Sequence, residues 1–466
     1  MRDEAHEEPG SKPAASAPAA PAQAKPRSSR SGTWLILVAL VAGVALGGFF
    51  PQDRYPQIYE LFHFLSKAFI ALIKGLIVPL LVSTLVVGVA QTGDLKAVGR
   101  MGGKSLLYFE VVTTIALGLG LVVANTLQPG RGLPIDLSSH GVDKSKAQSG
   151  WDTAMHLFPS NLAKHAVDGD ILPIVVFAVL FGIALTQLGE RKKVVLELAE
   201  TVAQAMFKYT AMIMKLTPLG VFGAMAYNVS HMAAGHTLES GARIEGWPAV
   251  LYLVWRYARV VGSLYLSMAL LVVLVFVPIL LVVRVSPRRF FGAIREPLLT
   301  AYTTASSEAA LPQLLEVLVK LGVPRRVASF VLPAGYSFNL DGSTLYLVLA
   351  SLTIAQAAGI DMPLGRQLFM VLTFVITSKG VAGVPRATLV IIAATCASYG
   401  LPGEAGVAML LAVDEIMDMA RSATNVAGNA LATVVVARWE GVFETELEPE
   451  LAEARATDAA IANTPP

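Results

Sequence analysis

The stretch DEIMDMARSATNVAGN, Asp414 to Asn429, lies between two apolar runs, AGVAMLLAV and ALATVVVA. Two carboxylates, Asp414 and Asp418, and the guanidinium of Arg421 therefore stand where a membrane helix would be apolar. Asp414, Asp418, Arg421, Asn425 and Asn429 are spaced 4, 3, 4 and 4 residues apart. At about 100° per residue they share a sector of roughly 80° on a helix. Ile416, Met417, Met419, Ala423, Val426, Ala427 and Leu431 occupy the other faces. An Arg or Asp at the centre of a membrane helix costs about 2.5–3.5 kcal/mol on insertion scales. Asp418 and Arg421, at i and i+3, can offset one another. A salt bridge joining helices accounts for that pair alone. A polar stripe facing a substrate pathway accounts for all five residues.

The rest of the chain fits a membrane setting. Of 466 residues, 54% are hydrophobic and 15% are charged, with a mean hydropathy of +0.60; soluble domains carry about 25% charged residues. The 36 basic and 34 acidic residues nearly balance, so no nucleic-acid footprint is visible. Cys396 is the only cysteine, which excludes an intrachain disulfide or a cysteine-based metal cage. GRMGGKS at 99–105 has three residues between Gly99 and the Gly-Lys pair, where a phosphate-binding loop needs four.

Residues 1–32, rich in Ala, Pro, Ser and charge, read as a disordered tail, and 444–466 as a second tail. The run TWLILVALVAGVALGGFF begins the first of eight candidate spans; the others centre near residues 75, 115, 178, 213, 267, 340 and 420. Lys and Arg cluster before span one and after spans two, four and six, which puts both termini on the cytoplasmic side of the cell (inner) membrane.

LPAGYSFNLDGSTLYLVL, 332–349, carries Asn339, Asp341, Gly342 and Ser343 inside an apolar span. Asn, Asp and Gly favour unwinding, and unwound backbone at membrane depth persists only where protein or a cavity satisfies it. Freed carbonyls, an amide oxygen and a carboxylate suit a hard cation; a simple kink would not need Asp341. TTASSEAALP at 303–312 and TSKGVAGVP at 377–385 each place small or polar residues before a Pro, between apolar arms too short to span. Each reads as a re-entrant hairpin, about 290–321 and 363–399. Each is followed by a polar-interrupted helix, about 325–358 and 402–440. A hairpin and a broken or polar helix, twice, is the pattern of an inverted repeat with its site at the midplane.

SSEAALP at 306–312, NLDGS at 339–343, GVAGVP at 380–385 and DMARSATNVAGN at 418–429 resemble the glutamate transporter family, the dicarboxylate/amino acid:cation symporters. The likeness covers about residues 33–443. It implies an all-α polytopic membrane protein with eight transmembrane helices, two re-entrant hairpins and inverted repeats. It further implies a homotrimer with fixed scaffold and moving transport domains, working as an elevator. No catalytic residue and no cofactor are implied, only a coupling cation, Na+ and/or H+.

By this resemblance Arg421 binds the substrate side-chain carboxylate and Asp418 its amino group. Asn425 and the backbone at Ser306 and Ser307 hold the α-carboxylate. Ser343 and Ser422 keep a hydroxyl where the family often has Thr, and Val384 covers the substrate from the gate. Gly335 and Asn339 with Asn425 and Asn429 match one sodium site; Asp341, Asn339, Thr113 and Thr114 match another; Ser337 and Ser378 match part of a third.

This chain also departs from the family pattern. Asn429 replaces an Asp, Leu340 a Met, and Ala305 an Arg found in some relatives. Leu347 stands where potassium-countertransporting members carry Glu. Glu110 is an extra intramembrane carboxylate near Thr113 and a candidate proton carrier. These features leave Na+ and H+ open and favour H+. The expected function is import of acidic amino acids, glutamate or aspartate. The alternative is a C4-dicarboxylate, which has no ammonium for Asp418; Arg386, after the gate Pro385, offers a second anion contact. No nucleophile–base or metal constellation suggests an enzyme. A passive anion channel would show flux without coupling.

Overall fold

The computed structural model of the protein describes residues 30–75, 77–92, 95–135, 160–168, 171–237, 241–378 and 387–443. Among them the chain is helical almost throughout; one short antiparallel pair, His236–Thr237 with Arg243–Ile244, is the exception. The first helix, α1 (Arg30–Phe49), starts inside the expected 1–32 tail, because a helix nucleated in the apolar run extends into its polar flank. Most of that tail, all of 444–466, and the stretch with Val384 and Arg386 lie outside the described residues.

Two expected spans are each built from two helices. The run near 75 is α2 (Pro56–Lys74) and α3 (Ile77–Thr92), with Gly75 in the turn between them. After α4 (Leu95–Leu127), α5 (Leu162–Asp168) and α6 (Ile171–Thr186), the run near 213 is α7 (Lys192–Met214) and α8 (Thr217–Ala233). Pro218, in the first turn of α8, has no N–H to continue a helix from α7. α1 and α2 both pack on α8, while α3 packs on α6 and α7.

α9 (Trp247–Leu271) continues through a wider turn at Val272–Phe276 into α10 (Val277–Val282). α11 (Pro287–Ala293), α12 (Arg295–Thr304) and α13 (Leu311–Leu321) follow. α12 and α13 are tied by Thr300 Oγ1 donating to Gln313 Oε1 at 2.9 Å. α14 (Arg325–Phe338) and α15 (Asp341–Ala357) are separated by Asn339 and Leu340, whose ψ angles of 69° and 66° leave the helical region. α16 (Leu364–Thr377) and α17 (Ala387–Ser398) come next, tied by Thr373 Oγ1 and the Tyr399 hydroxyl at 2.8 Å. At 1.5 Å per residue α12, α16 and α17 are about 15–21 Å long, short of the roughly 30 Å hydrocarbon thickness.

The last stretch is not one continuous helix over about 402–440. α18 (Gly403–Leu411) ends, Val413 takes ψ 1°, and α19 (Asp414–Trp439) begins. The break puts Asp414 and Glu415 in the first turn of α19, where a carboxylate faces the positive end of the helix dipole. α19 is buried along most of its length and packs on α12, α14 and α15; α15 also packs on α4. Its polar stripe therefore faces protein.

Candidate functional site

The site is built where α19 crosses the break between α14 and α15. Close approach at two glycines allows this. A Cβ on Gly335 would stand 2.3 Å from Asn429 Oδ1, and one on Gly428 would stand 2.1 Å from Asp341 Oδ2. Only glycine lets these helices come so near without displacing the polar groups.

Arg421 is fully buried. Its Nη2 lies 2.8 Å from Asp418 Oδ1 and 3.2 Å from Asp414 Oδ1. Its Cζ stands 4.2 Å from the centre of the Tyr346 ring, and the Tyr346 hydroxyl donates to Asp414 Oδ1 at 3.1 Å. Nε and Nη1 have no hydrogen-bond partner among the described residues. Burying a charge is unfavourable unless it is paired, and here the pairing uses one nitrogen and leaves three N–H donors over. A guanidinium so held presents those donors to an anion. Asp418 is adjacent, so a cationic group on the same ligand has a counter-charge within one helical turn.

Asn425 is engaged through both ends of its amide. Its Oδ1 accepts from the Gly342 N–H at 2.9 Å and the Ser343 N–H at 3.2 Å, and its Nδ2 donates to Ser343 Oγ at 3.0 Å. The first N–H groups of a helix have no partner within it; Asn425 supplies one for α15 from another helix. Ser422 is buried on the same helix. At the first hairpin tip, Ala305 closes α12 with φ 48° in the left-handed region, Ser306 is half-buried and Ser307 is buried. The Ser307 carbonyl accepts from the Tyr336 hydroxyl at 2.9 Å.

A second polar cluster adjoins this one. Asn339 Nδ2 donates to Asp341 Oδ2 and to Asn429 Oδ1, both at 3.2 Å. Asn339 Oδ1, Asn429 Nδ2, Thr113 Oγ1 and the Tyr108 hydroxyl are buried with no hydrogen-bond partner among the described residues. A carboxylate beside an unsatisfied amide oxygen fits a hard cation, which takes oxygen ligands. Thr114 does not share this buried setting. It is exposed, and its hydroxyl donates to the Glu110 carbonyl at 2.7 Å, because its neighbour Thr113 holds the buried face of α4. Glu110 is half-buried one turn before Thr113. Ser337 lies in α14, and the buried Ser378 turns its hydroxyl onto the Val375 carbonyl at 3.3 Å.

Reading the sequence missed Tyr346, and left Asp414 on the stripe without a role. Nothing in an apolar run separates an aromatic that supports a guanidinium from one that fills a core. Tyr336 and Tyr108 were missed for the same reason.

Broken helices meeting at a buried, charged cluster are the pattern of a secondary transporter. The sequence profile described as the sodium:dicarboxylate symporter family matches residues 33–439. The "Proton/sodium-glutamate symport protein" of Geobacillus stearothermophilus is 37% identical over 421 residues, 89% of this chain and 95% of that protein. The "Proton/glutamate-aspartate symporter" of Escherichia coli (strain K12) is 39% identical over 428 residues, 88% of this chain and 93% of that one. The "C4-dicarboxylate transport protein" of Laribacter hongkongensis is 39% identical over 418 residues, 88% and 90% of the two chains. The chain belongs to the sodium:dicarboxylate symporter family, whose members are transporters and not enzymes.

Proposed function

We propose that this protein is a secondary active symporter that imports glutamate or aspartate with H+ and/or Na+. The observation that carries the reading is the Arg421–Asp418 pair, 2.8 Å apart in the interior, with guanidinium donors left over. An acidic amino acid offers a carboxylate to Arg421 and an ammonium to Asp418. The names of the Geobacillus and Escherichia relatives support the same substrate class. The coupling cation is cargo, and Asp341 with Asn339, Thr113 and Asn429 is the group of residues suited to hold it. Asn429 brings no charge and Glu110 is titratable, which favours H+.

A C4-dicarboxylate is the second reading, supported by relatives of that name at similar identity. Asp418 argues against it, since a dicarboxylate has no ammonium to meet that carboxylate.

The architecture behind this function is eight transmembrane helices with two re-entrant hairpins, in a transporter domain over 33–443 between two cytoplasmic tails. α1 and α2 both pack on α8, while α12, α14 and α15 pack on α19, and this grouping supports a fixed body and a moving one, as an elevator requires. A homotrimer in the cell (inner) membrane completes the reading. Uptake of radiolabelled glutamate, aspartate and succinate into proteoliposomes, with Na+ and H+ gradients imposed separately, tests substrate and coupling together. Flux that ignores both gradients would mean a channel.

A further inference from the structure

The break between α18 and α19 is held from α9. In an unbroken helix the Val413 N–H would donate to the Met409 carbonyl. Here it turns to the Leu410 carbonyl at 3.0 Å, and the last carbonyls of a helix have no partner within it. The Tyr257 hydroxyl, from α9, donates to the Met409 carbonyl at 3.1 Å. Beyond the break the Tyr265 hydroxyl, also from α9, donates to the Ile416 carbonyl at 2.8 Å. The two tyrosines are eight residues apart, about 12 Å along the helix. One helix thus grips both sides of the break from which Asp414 begins α19.

Tyr257 also accepts. Asn228 Nδ2, from α8, donates to its hydroxyl at 3.1 Å. Tyr257 is 3% exposed and Asn228 9%. Breaking a hydrogen bond in such a setting leaves a buried donor without a partner, which costs more than the net value of the bond. The chain Asn228–Tyr257–Met409 therefore runs from α8 through α9 to α18. α1 and α2 pack on α8. α9 packs on α4, α15 and α19 as well as on α8, and α18 packs on α15, α17 and α19 as well as on α2 and α8. The first bond of the chain joins these two groups of helices. The second lies within the group around α19.

The two groups are not closely packed beside this contact. A cavity of about 430 Å3 adjoins it, lined from α2 by Ser66 and Ala71, from α8 by Asn228 and from α18 by Ala405 and Met409. Side chains that line a cavity lose dispersion contacts on that side. A directed bond then counts for more in holding α18 and α9 against α8.

We propose that Asn228 and Tyr257 form a latch between the fixed and the moving body that holds the protein in this conformation. As the moving body travels, the Asn228–Tyr257 bond breaks. The Tyr257–Met409 bond travels intact, because both of its partners belong to that body. That the bodies move past one another rests on the proposed function; the bonds themselves do not.

The test uses Ala71 and Ala405, which line the cavity from the two sides. Ala71→Cys/Ala405→Cys, in the full chain with Cys396→Ala, gives a pair that a short bifunctional thiol reagent joins when the bodies stand as they do here. The rate of cross-linking in proteoliposomes, normalised to the reactivity of each single cysteine, reads the population of this conformation. Asn228→Leu should lower it about twofold to tenfold, the net value of one hydrogen bond; Asn228→Ser serves the same purpose if that variant does not fold. Tyr257→Phe should lower it by as much, and the two changes together by no more than either, since each removes the same bond. Tyr265→Phe loses a bond within the moving body and should leave the rate unchanged. An unchanged rate without Asn228, additive losses in the double variant, or an equal loss in Tyr265→Phe would overturn the latch. Failure of the proposed function looks different: fully cross-linked protein would still take up glutamate, whatever the rates.

Discussion

Asp414 Oδ1, at the first residue of α19, accepts from both the Tyr346 hydroxyl at 3.1 Å and Arg421 Nη2 at 3.2 Å. Arg421 is thereby held from two helices, with the Tyr346 ring against its face. Asp414→Asn should weaken both hydrogen bonds to this carboxylate, about 1.5–3 kcal/mol each, while Asp418 still pairs the guanidinium. Tyr346→Phe keeps the ring contact and should lose only the hydrogen bond to a charged group, about 1.5–3 kcal/mol. Thermal unfolding in detergent compares the two. Equal stability of Asp414→Asn and wild type would remove Asp414 from this role.

Arg421→Ala should abolish uptake of glutamate and aspartate, since Arg421 is the one basic residue of the polar stripe. It also leaves Asp414 and Asp418 buried with no cation between them, so the single variant should be less stable. Asp414→Asn/Arg421→Gln leaves one buried carboxylate without Arg421 instead of two, and should recover part of the stability without recovering uptake. Normal glutamate affinity in either variant would rule out the role. Arg421→Lys should bind poorly too, because an ammonium is a point charge without the planar fork.

Asp418→Ser should weaken glutamate by roughly tenfold to a hundredfold, the value of a charge-assisted hydrogen bond. It should shift preference towards succinate, because Asp418 repels a second carboxylate placed where the ammonium would be. Competition among glutamate, aspartate, succinate and fumarate on both proteins checks this. A wild type that already prefers succinate would favour the dicarboxylate reading.

Asn425→Leu should remove the acceptor for the Gly342 and Ser343 N–H groups and leave both buried. The expected loss is about 1–3 kcal/mol for each unsatisfied group. Asn425→Asp keeps an acceptor at the same place and should be the milder change in unfolding measurements. The reverse order would mean that the Nδ2 contact to Ser343 matters more.

For coupling, the expected ion includes H+. Glu110→Gln should then lower uptake driven by an imposed proton gradient and leave the protein stable, since Glu110 is half-buried and outside the Arg421 pocket. If a sodium gradient at clamped pH drives uptake and a proton gradient does not, Glu110 carries nothing.

Some of this was readable from residue order because it depends on local chemistry. The spacing of Asp414, Asp418, Arg421, Asn425 and Asn429 defines a stripe on any α-helix, whatever packs against it. Asn339, Asp341 and Gly342 oppose helix within their own few residues, so the break between α14 and α15 was visible there. What faces the stripe was not. Tyr346 lies 75 residues from Arg421 in sequence, and only the crossing of α15 over α19 brings ring and guanidinium to 4.2 Å. Thr113 and Thr114 are neighbours of one type, yet one is buried and the other exposed, since a helix turns about 100° between them. The engagement of Asn425 with the α15 N-terminus likewise depends on a neighbour distant in the chain. Local preference and hydropathy set which segments are helical and apolar. Which polar atoms are left without partners in the interior is decided by packing, because each partner arrives on a different helix.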